Sequence, residues 1–99
     1  MNSKLLFIVL SFFLSSNAVF AQIEAELEKL SIFSEYVKSK NYDAAFAPWM
    51  ELRTNTPKLN KAIYIFGERI LKNKISTSNG DEKIKFLLDL LQLWEERST

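Results

Sequence analysis

The side chains best suited to chemistry in this sequence are carboxylates and hydroxyls, because the chain contains no histidine and no cysteine. Four glutamates fall close together, at Glu24, Glu26, Glu28 and Glu35. Such a cluster could bind a metal ion or act as an acid–base pair. Lysines are interspersed among these acids, and acidic residues near a helix start favour its dipole. We therefore expect a solvated helix face here, with neither a metal nor a catalytic site.

The hydroxyl side chains offer no better route to catalysis. Ser31, Ser34, Ser76 and Thr77 have no base nearby in sequence, and no histidine exists to activate them. The two glycines lie outside any phosphate-binding motif, and the acidic segment 79–82 is too short for a calcium loop. The sequence therefore predicts a protein that is not an enzyme and that needs no cofactor.

The charge balance argues against polyanionic partners. The chain has a formal net charge of +1, from 13 basic and 12 acidic side chains. Its lysines alternate with acids instead of forming one basic surface, so we expect no nucleic-acid binding. The aromatic side chains recur at helical spacing, and we expect them in the core and not around a ligand. They are Phe33, Tyr36, Tyr42, Phe46, Trp49, Phe66 and Trp94.

The N-terminal segment has the features of an export signal. Lys4 is followed by an apolar run from Leu5 to Leu14, then by a short polar stretch, and then by Val19 and Ala21, which suit the small-residue subsites of a signal peptidase. This order is typical of a secretory signal peptide, and the run is about half of the roughly 20 residues that a membrane-spanning helix needs. We expect residues 1–21 to be removed, which leaves residues 22–99 exported and not inserted in a membrane. Retention of the segment as an anchor is the alternative.

The remainder reads as four helices with no alternating strand pattern. Apolar spacing predicts helices at about 24–39, 42–54, 59–74 and 82–97. Pro48 predicts either a kink in the second helix or a late start near Ala44. Gly67, inside the third, predicts another helix crossing close to it. The segment 76–80 predicts a loop, with Asp81 as the cap of the last helix.

A repeat of 34 residues links these helices. The tetratricopeptide pattern, in which a small residue follows an aromatic at fixed spacing, is matched by six positions of the first unit. They are Ile32, Phe33, Tyr36, Ala45, Trp49 and Pro57. Ile63, Phe66, Gly67 and Ile70 repeat the start of the pattern. Repeat one covers about 26–59, and a divergent repeat two covers about 60–97.

Three strings extend this match: Lys40 to Ala45, Pro48-Trp49 and Leu87 to Leu91. With them, the chain resembles the N-terminal portion of exported tetratricopeptide-repeat proteins of Gram-negative bacteria. The resemblance implies an all-α fold of two antiparallel helix pairs, which begin a right-handed solenoid. It also implies a non-enzymatic scaffold in the periplasm, either free or associated with the outer membrane.

Two surfaces are candidates for partner binding. The first helix of each pair lines the concave side of such a solenoid. Its outward residues would be Ser34, Lys38, Tyr64, Glu68 and Lys72. The last helix is apolar on two faces, and we expect Phe86, Leu90 and Leu93 to form an exposed docking face.

These surfaces leave two hypotheses open. The partner is either another protein or peptide, or further repeats of the same chain. Alternatively, the chain is a self-contained exported helical protein that forms a homodimer through its last helix.

Overall fold

Four helices make up the computed structural model, which describes the backbone of residues 2–99 and the side chains of residues 20–99. They are α1 (Asn2–Lys38), α2 (Tyr42–Asn55), α3 (Ala62–Thr77) and α4 (Gly80–Ser98). No strand occurs in residues 2–99, so the predicted all-α class is confirmed. Within residues whose placement is described, no helix has the length and apolar character that crossing a membrane requires.

The first helix begins well before the expected start at residue 24. No helix break accompanies the predicted cleavage point after Ala21. The side chains of the apolar run Leu5–Leu14 lie outside the described residues, and export stays a prediction.

Helix α1 ends in a tight reversal at Lys40. The amide of Asn41 donates to the carbonyl of Tyr36 at 2.7 Å, and the amide of Lys40 donates to the carbonyl of Val37 at 3.0 Å. This pair of hydrogen bonds is the Schellman arrangement, which requires a left-handed residue after the helix. Lys40 takes that conformation, with φ of 63°. The turn folds α2 back along α1.

Pro48 lies inside an uninterrupted α2 that begins at Tyr42, so the late start near Ala44 was wrong. Proline has no amide hydrogen to donate to the carbonyl of Ala44, four residues earlier. The helix persists because its inner residues Ala45, Trp49 and Leu52 are fully buried. Tertiary packing, and not intrinsic propensity, supplies most helix stability in proteins.

The connection between α3 and α4 is shorter than the sequence indicated. Only Ser78 and Asn79 separate the two helices. Asn79 is the N-cap residue, so the prediction of Asp81 as the cap was wrong. Gly80 follows with φ of +60°, a conformation that glycine adopts without steric cost. A two-residue link keeps α3 and α4 antiparallel neighbours.

The helices form two pairs around one core. Helix α1 packs along α2, α3 packs along α4, and α3 also contacts α1 and α2. The core contains residues from all four helices: Phe33, Val37, Ala45, Trp49, Leu52, Ile63, Ile70, Leu71, Leu90 and Leu93. Phe33 and Phe66 meet edge to face across α1 and α3, with ring centroids 6.1 Å apart.

The close crossing predicted at Gly67 is confirmed. A Cβ atom on Gly67 would lie 2.5 Å from the indole of Trp49. The indole Nε1 donates to the carbonyl of Ile63 at 2.7 Å. The contact holds α2 directly against the backbone of α3.

Candidate functional site

Helix α4 packs through the face that the sequence predicted to be exposed. Leu90 and Leu93 are only 6% and 1% exposed, and Phe86 is half-buried. Phe86 meets Phe46 of α2 edge to face, with ring centroids 6.2 Å apart. The prediction that Phe86, Leu90 and Leu93 form an exposed docking face was therefore wrong.

The opposite face of α4 is open to solvent. Its five apolar side chains, which we call the α4 ridge, are Ile84, Leu87, Leu88, Leu91 and Trp94, each between 43% and 61% exposed. Their spacing places them in one stripe about 15 Å long, from ten residues at 1.5 Å per residue. Contiguous exposed apolar surface of this kind marks interaction sites.

Arg53 explains why α4 is rotated this way. Its side chain is 6% exposed, and its Nη1 lies 2.9 Å from Asp89 while Nη2 lies 2.5 Å from Glu96. Nε also donates to Glu96 at 3.2 Å, so this pair is bidentate. Asp89 and Glu96 are seven residues apart, which puts both on the Phe86 and Leu93 side of α4. Turning the ridge inward would leave a buried guanidinium unpaired.

The electrostatics of Arg53 follow from this contact. Burial by itself would lower the pKa of Arg53, but the carboxylates of Glu96 and Asp89 outweigh it and raise the pKa above its ordinary value. Its guanidinium also lies 5.2 Å from the ring centroid of Trp49. A partly solvated pair of acids around a buried cation costs less desolvation than a fully buried pair. Sequence reasoning missed Arg53 altogether.

A groove runs beside the ridge between α2 and α4. Its volume is about 760 Å³, and its apolar walls include Phe46, Met50 and Phe86. Ile84 and Leu88 belong to both the groove and the ridge. Asp81, Lys85 and Gln92 lie at its polar margin. Ridge and groove therefore form one continuous surface with apolar walls and a polar margin.

Two of the predicted concave residues contact groups of their own helix. On α1, Ser34 donates to the carbonyl of Leu30 at 2.6 Å, and Lys38 lies 3.8 Å from Glu35. Tyr64 on α3 is only 8% exposed, so the prediction that it lies on an open surface was wrong.

The other two predicted concave residues pair with each other on α3. Lys72 Nζ lies 3.0 Å from Glu68. The hydrogen bond from Lys72 is the main reason that the pKa of Glu68 is lowered.

Three of the four clustered glutamates lie on the surface, and the fourth is buried. Glu24, Glu28 and Glu35 are exposed, as expected of a solvated face. Glu26 is 5% exposed, and it accepts a hydrogen bond from Thr56 Oγ1 at 3.3 Å, so its placement on that face was wrong. Among residues 20–99, no three acidic side chains cluster closely enough to hold a metal ion.

Two of the aromatic side chains depart from the predicted core. Tyr36 and Trp94 are 37% and 44% exposed, whereas Phe33 and Trp49 are fully buried.

Comparison with known proteins identified no relative of this chain. No family model, curated protein or solved structure matches it.

Proposed function

We propose that this chain is a non-enzymatic protein-interaction scaffold, built from two tetratricopeptide-like helix pairs and exported to the periplasm. The observation that carries the proposal is the α4 ridge, five large apolar side chains left in solvent by a helix that is otherwise well packed. Exposed apolar surface costs about 25 cal/mol for each Å² that a partner could cover. A neighbouring helix from a partner would recover part of that free energy.

The order of helix contacts supports the repeat interpretation. Each helix pairs with its neighbour in sequence, and α3 contacts both helices of the first pair. Phe33 of the first unit and Phe66 of the second meet across the pairs. The small residue Ala45 is fully buried beside Trp49, as the repeat pattern requires. In stacked repeats, each unit leaves an apolar face for the next one.

Export is proposed on the sequence of residues 1–21 alone. A short positive start, an apolar run of ten residues and a small-residue exit form that signal. The absence of histidine and cysteine supports a binding role over catalysis, since it removes the side chains most used as bases, nucleophiles and metal ligands.

A second candidate function is homodimerisation through α4. The α4 ridge favours it equally, because a second copy of the same helix could cover the stripe. The two candidates differ in what happens to the chain alone in solution.

Sedimentation velocity and apolar-dye fluorescence on the full chain test both candidates. The wild type is compared with a ridge variant, Leu88→Glu with Leu91→Glu, and with a control, Thr54→Glu, at an exposed position of α2. A scaffold awaiting a partner binds dye through the ridge, and only the ridge variant loses that binding. A tight dimer that only the ridge variant dissociates favours the second candidate. A monomer whose dye binding is the same in all three proteins contradicts both.

A further inference from the structure

A second cavity lies where the loop between α2 and α3 meets the end of α4. It measures about 310 Å³ and shares no lining residue with the α4 groove. Its walls are Pro57, Lys58, Asn60, Lys61, Tyr64 and Arg97, which we call the cationic pocket. Three of these six residues carry a positive charge, and none carries a negative one.

The three cations of the pocket are not engaged by the carboxylates nearest to them. Across residues 20–99, the ion pairs include neither Lys58, Lys61 nor Arg97. Glu68 is close enough to feel the charge of Arg97, but its ion pair is with Lys72 at 3.0 Å. Among the side chains that the structure describes, none supplies a counter-charge in direct contact with the pocket.

Two neutral residues shape the pocket and add a donor. Tyr64 is 8% exposed, and Lys58 Nζ lies 5.6 Å from the centroid of its ring, so the tyrosine forms a fixed wall. Asn60 Oδ1 accepts a hydrogen bond from the amide of Ala62 at 2.8 Å. Its Nδ2 group is then a donor that this bond does not use. The start of α3, at the same place, contributes the positive end of a helix dipole.

We propose that the cationic pocket binds the phosphate group of a phosphate monoester. The pocket offers two ammonium groups, one guanidinium and one amide as donors, which suit a group that only accepts hydrogen bonds. Three positive charges match a dianion better than a single carboxylate. A volume of about 310 Å³ falls at the lower end of small-molecule sites, so an organic group fits beside Tyr64.

Calorimetry and vesicle sedimentation on the full chain test this proposal. The soluble probe is glycerol phosphate, and the lipid probe is phosphatidylcholine vesicles with and without phosphatidic acid. The pocket variant replaces Lys58, Lys61 and Arg97 with glutamine. The control variant replaces Lys38, Lys40 and Lys83 with glutamine, which removes the same charge at exposed positions outside the pocket and the α4 groove.

The proposal predicts saturable binding of glycerol phosphate to the wild type. If the pocket variant weakens this binding at least about tenfold and the control changes it less than about twofold, the result supports a soluble ligand. Binding of phosphatidic acid vesicles alone, with the same difference between variants, supports a lipid headgroup. No saturable binding of either probe, or equal weakening in both variants, overturns the proposal. Circular dichroism of each variant verifies that the helices are retained.

Discussion

The indole of Trp49 rests on the backbone of α3 at Gly67. Its Nε1 donates to the carbonyl of Ile63 at 2.7 Å, and a Cβ at position 67 would come within 2.5 Å of the ring. The side chain of Trp49 is fully buried, so it has no free space into which it can retreat. This contact sets the distance between the second helix of one pair and the first helix of the next.

Gly67→Ala is therefore expected to destabilise the fold by about 1–3 kcal/mol, the usual cost of overpacking a core. The cost should fall in a Trp49→Phe background, because the smaller ring vacates the space that the new methyl group needs. Denaturant unfolding of the two single variants and the double variant measures this coupling.

Gly80→Ala is the matched control for that cycle. No atom of the described residues lies within 4 Å of a Cβ at Gly80, so its cost comes from φ of +60°. We expect the cost of Gly80→Ala to be the same with Trp49 or with phenylalanine. An equal cost for Gly67→Ala in both backgrounds would show that the close approach is not what constrains this glycine.

Arg53→Ala is expected to cost about 2–3 kcal/mol, because it removes a buried cation from two acids that remain partly in water. Asp89 and Glu96 keep 26% and 32% of their side-chain surface exposed, which limits the penalty. Arg53→Lys should recover only part of the loss, since an ammonium group cannot make the bidentate contact with Glu96. Urea unfolding at neutral pH measures both variants.

Lys72→Ala is the comparison for Arg53, because it breaks an ion pair whose lysine is 61% exposed. Surface pairs of this kind contribute about 0–1 kcal/mol. If Arg53→Ala proves no more destabilising than Lys72→Ala, then Arg53 does not fix the orientation of α4.

Lys40→Gly is expected to stabilise the chain by roughly 0.5–1 kcal/mol, because glycine adopts a positive φ without the steric cost that lysine bears. Lys40 has φ of 63° and is exposed, so the substitution removes no core contact. Thermal unfolding should show a higher midpoint.

Ser39→Gly, one residue earlier, should lower the midpoint instead. Lys40 is the one non-glycine position with a positive φ among the described residues. Glycine at 39 therefore increases the conformational entropy of the unfolded chain without relieving any steric cost in the folded one. A lower midpoint for Lys40→Gly would contradict the Schellman turn.

The pair of Glu68 and Lys72 predicts a specific loss of stability in acid. The folded-state pKa of Glu68 lies below its ordinary value of 4.5, chiefly because of the hydrogen bond from Lys72. The contribution is therefore fully present above that value and is lost as the pH falls through the folded pKa. Between about pH 3 and 6, Glu68→Gln should show a shallower fall in unfolding midpoint than the wild type. Parallel curves would mean that this pair does not stabilise the fold.

The number of helices, and the bounds of α2, α3 and α4 to within three residues, were predictable from apolar spacing, whereas the start of α1 was not. The close crossing at Gly67 was also predictable, since glycine inside a helix needs a reason. The rotation of α4 was not, because five apolar residues on one face outweighed three on the other. What decides it is Arg53, whose partners Asp89 and Glu96 lie 36 and 43 residues away in sequence. Two acids seven residues apart on the Leu93 side were the one available signal.

Our proposal requires that the folded chain leave the α4 ridge open to solvent, and thiol labelling tests this most directly. The chain has no cysteine, so a single introduced thiol reports on one position. Leu88→Cys lies on the ridge, and Leu93→Cys lies on the packed face, where the leucine is 1% exposed. We predict that the thiol at 88 reacts nearly as fast as in the unfolded chain, while the thiol at 93 reacts only on unfolding. Fast labelling at 93 with protection at 88 would contradict the account.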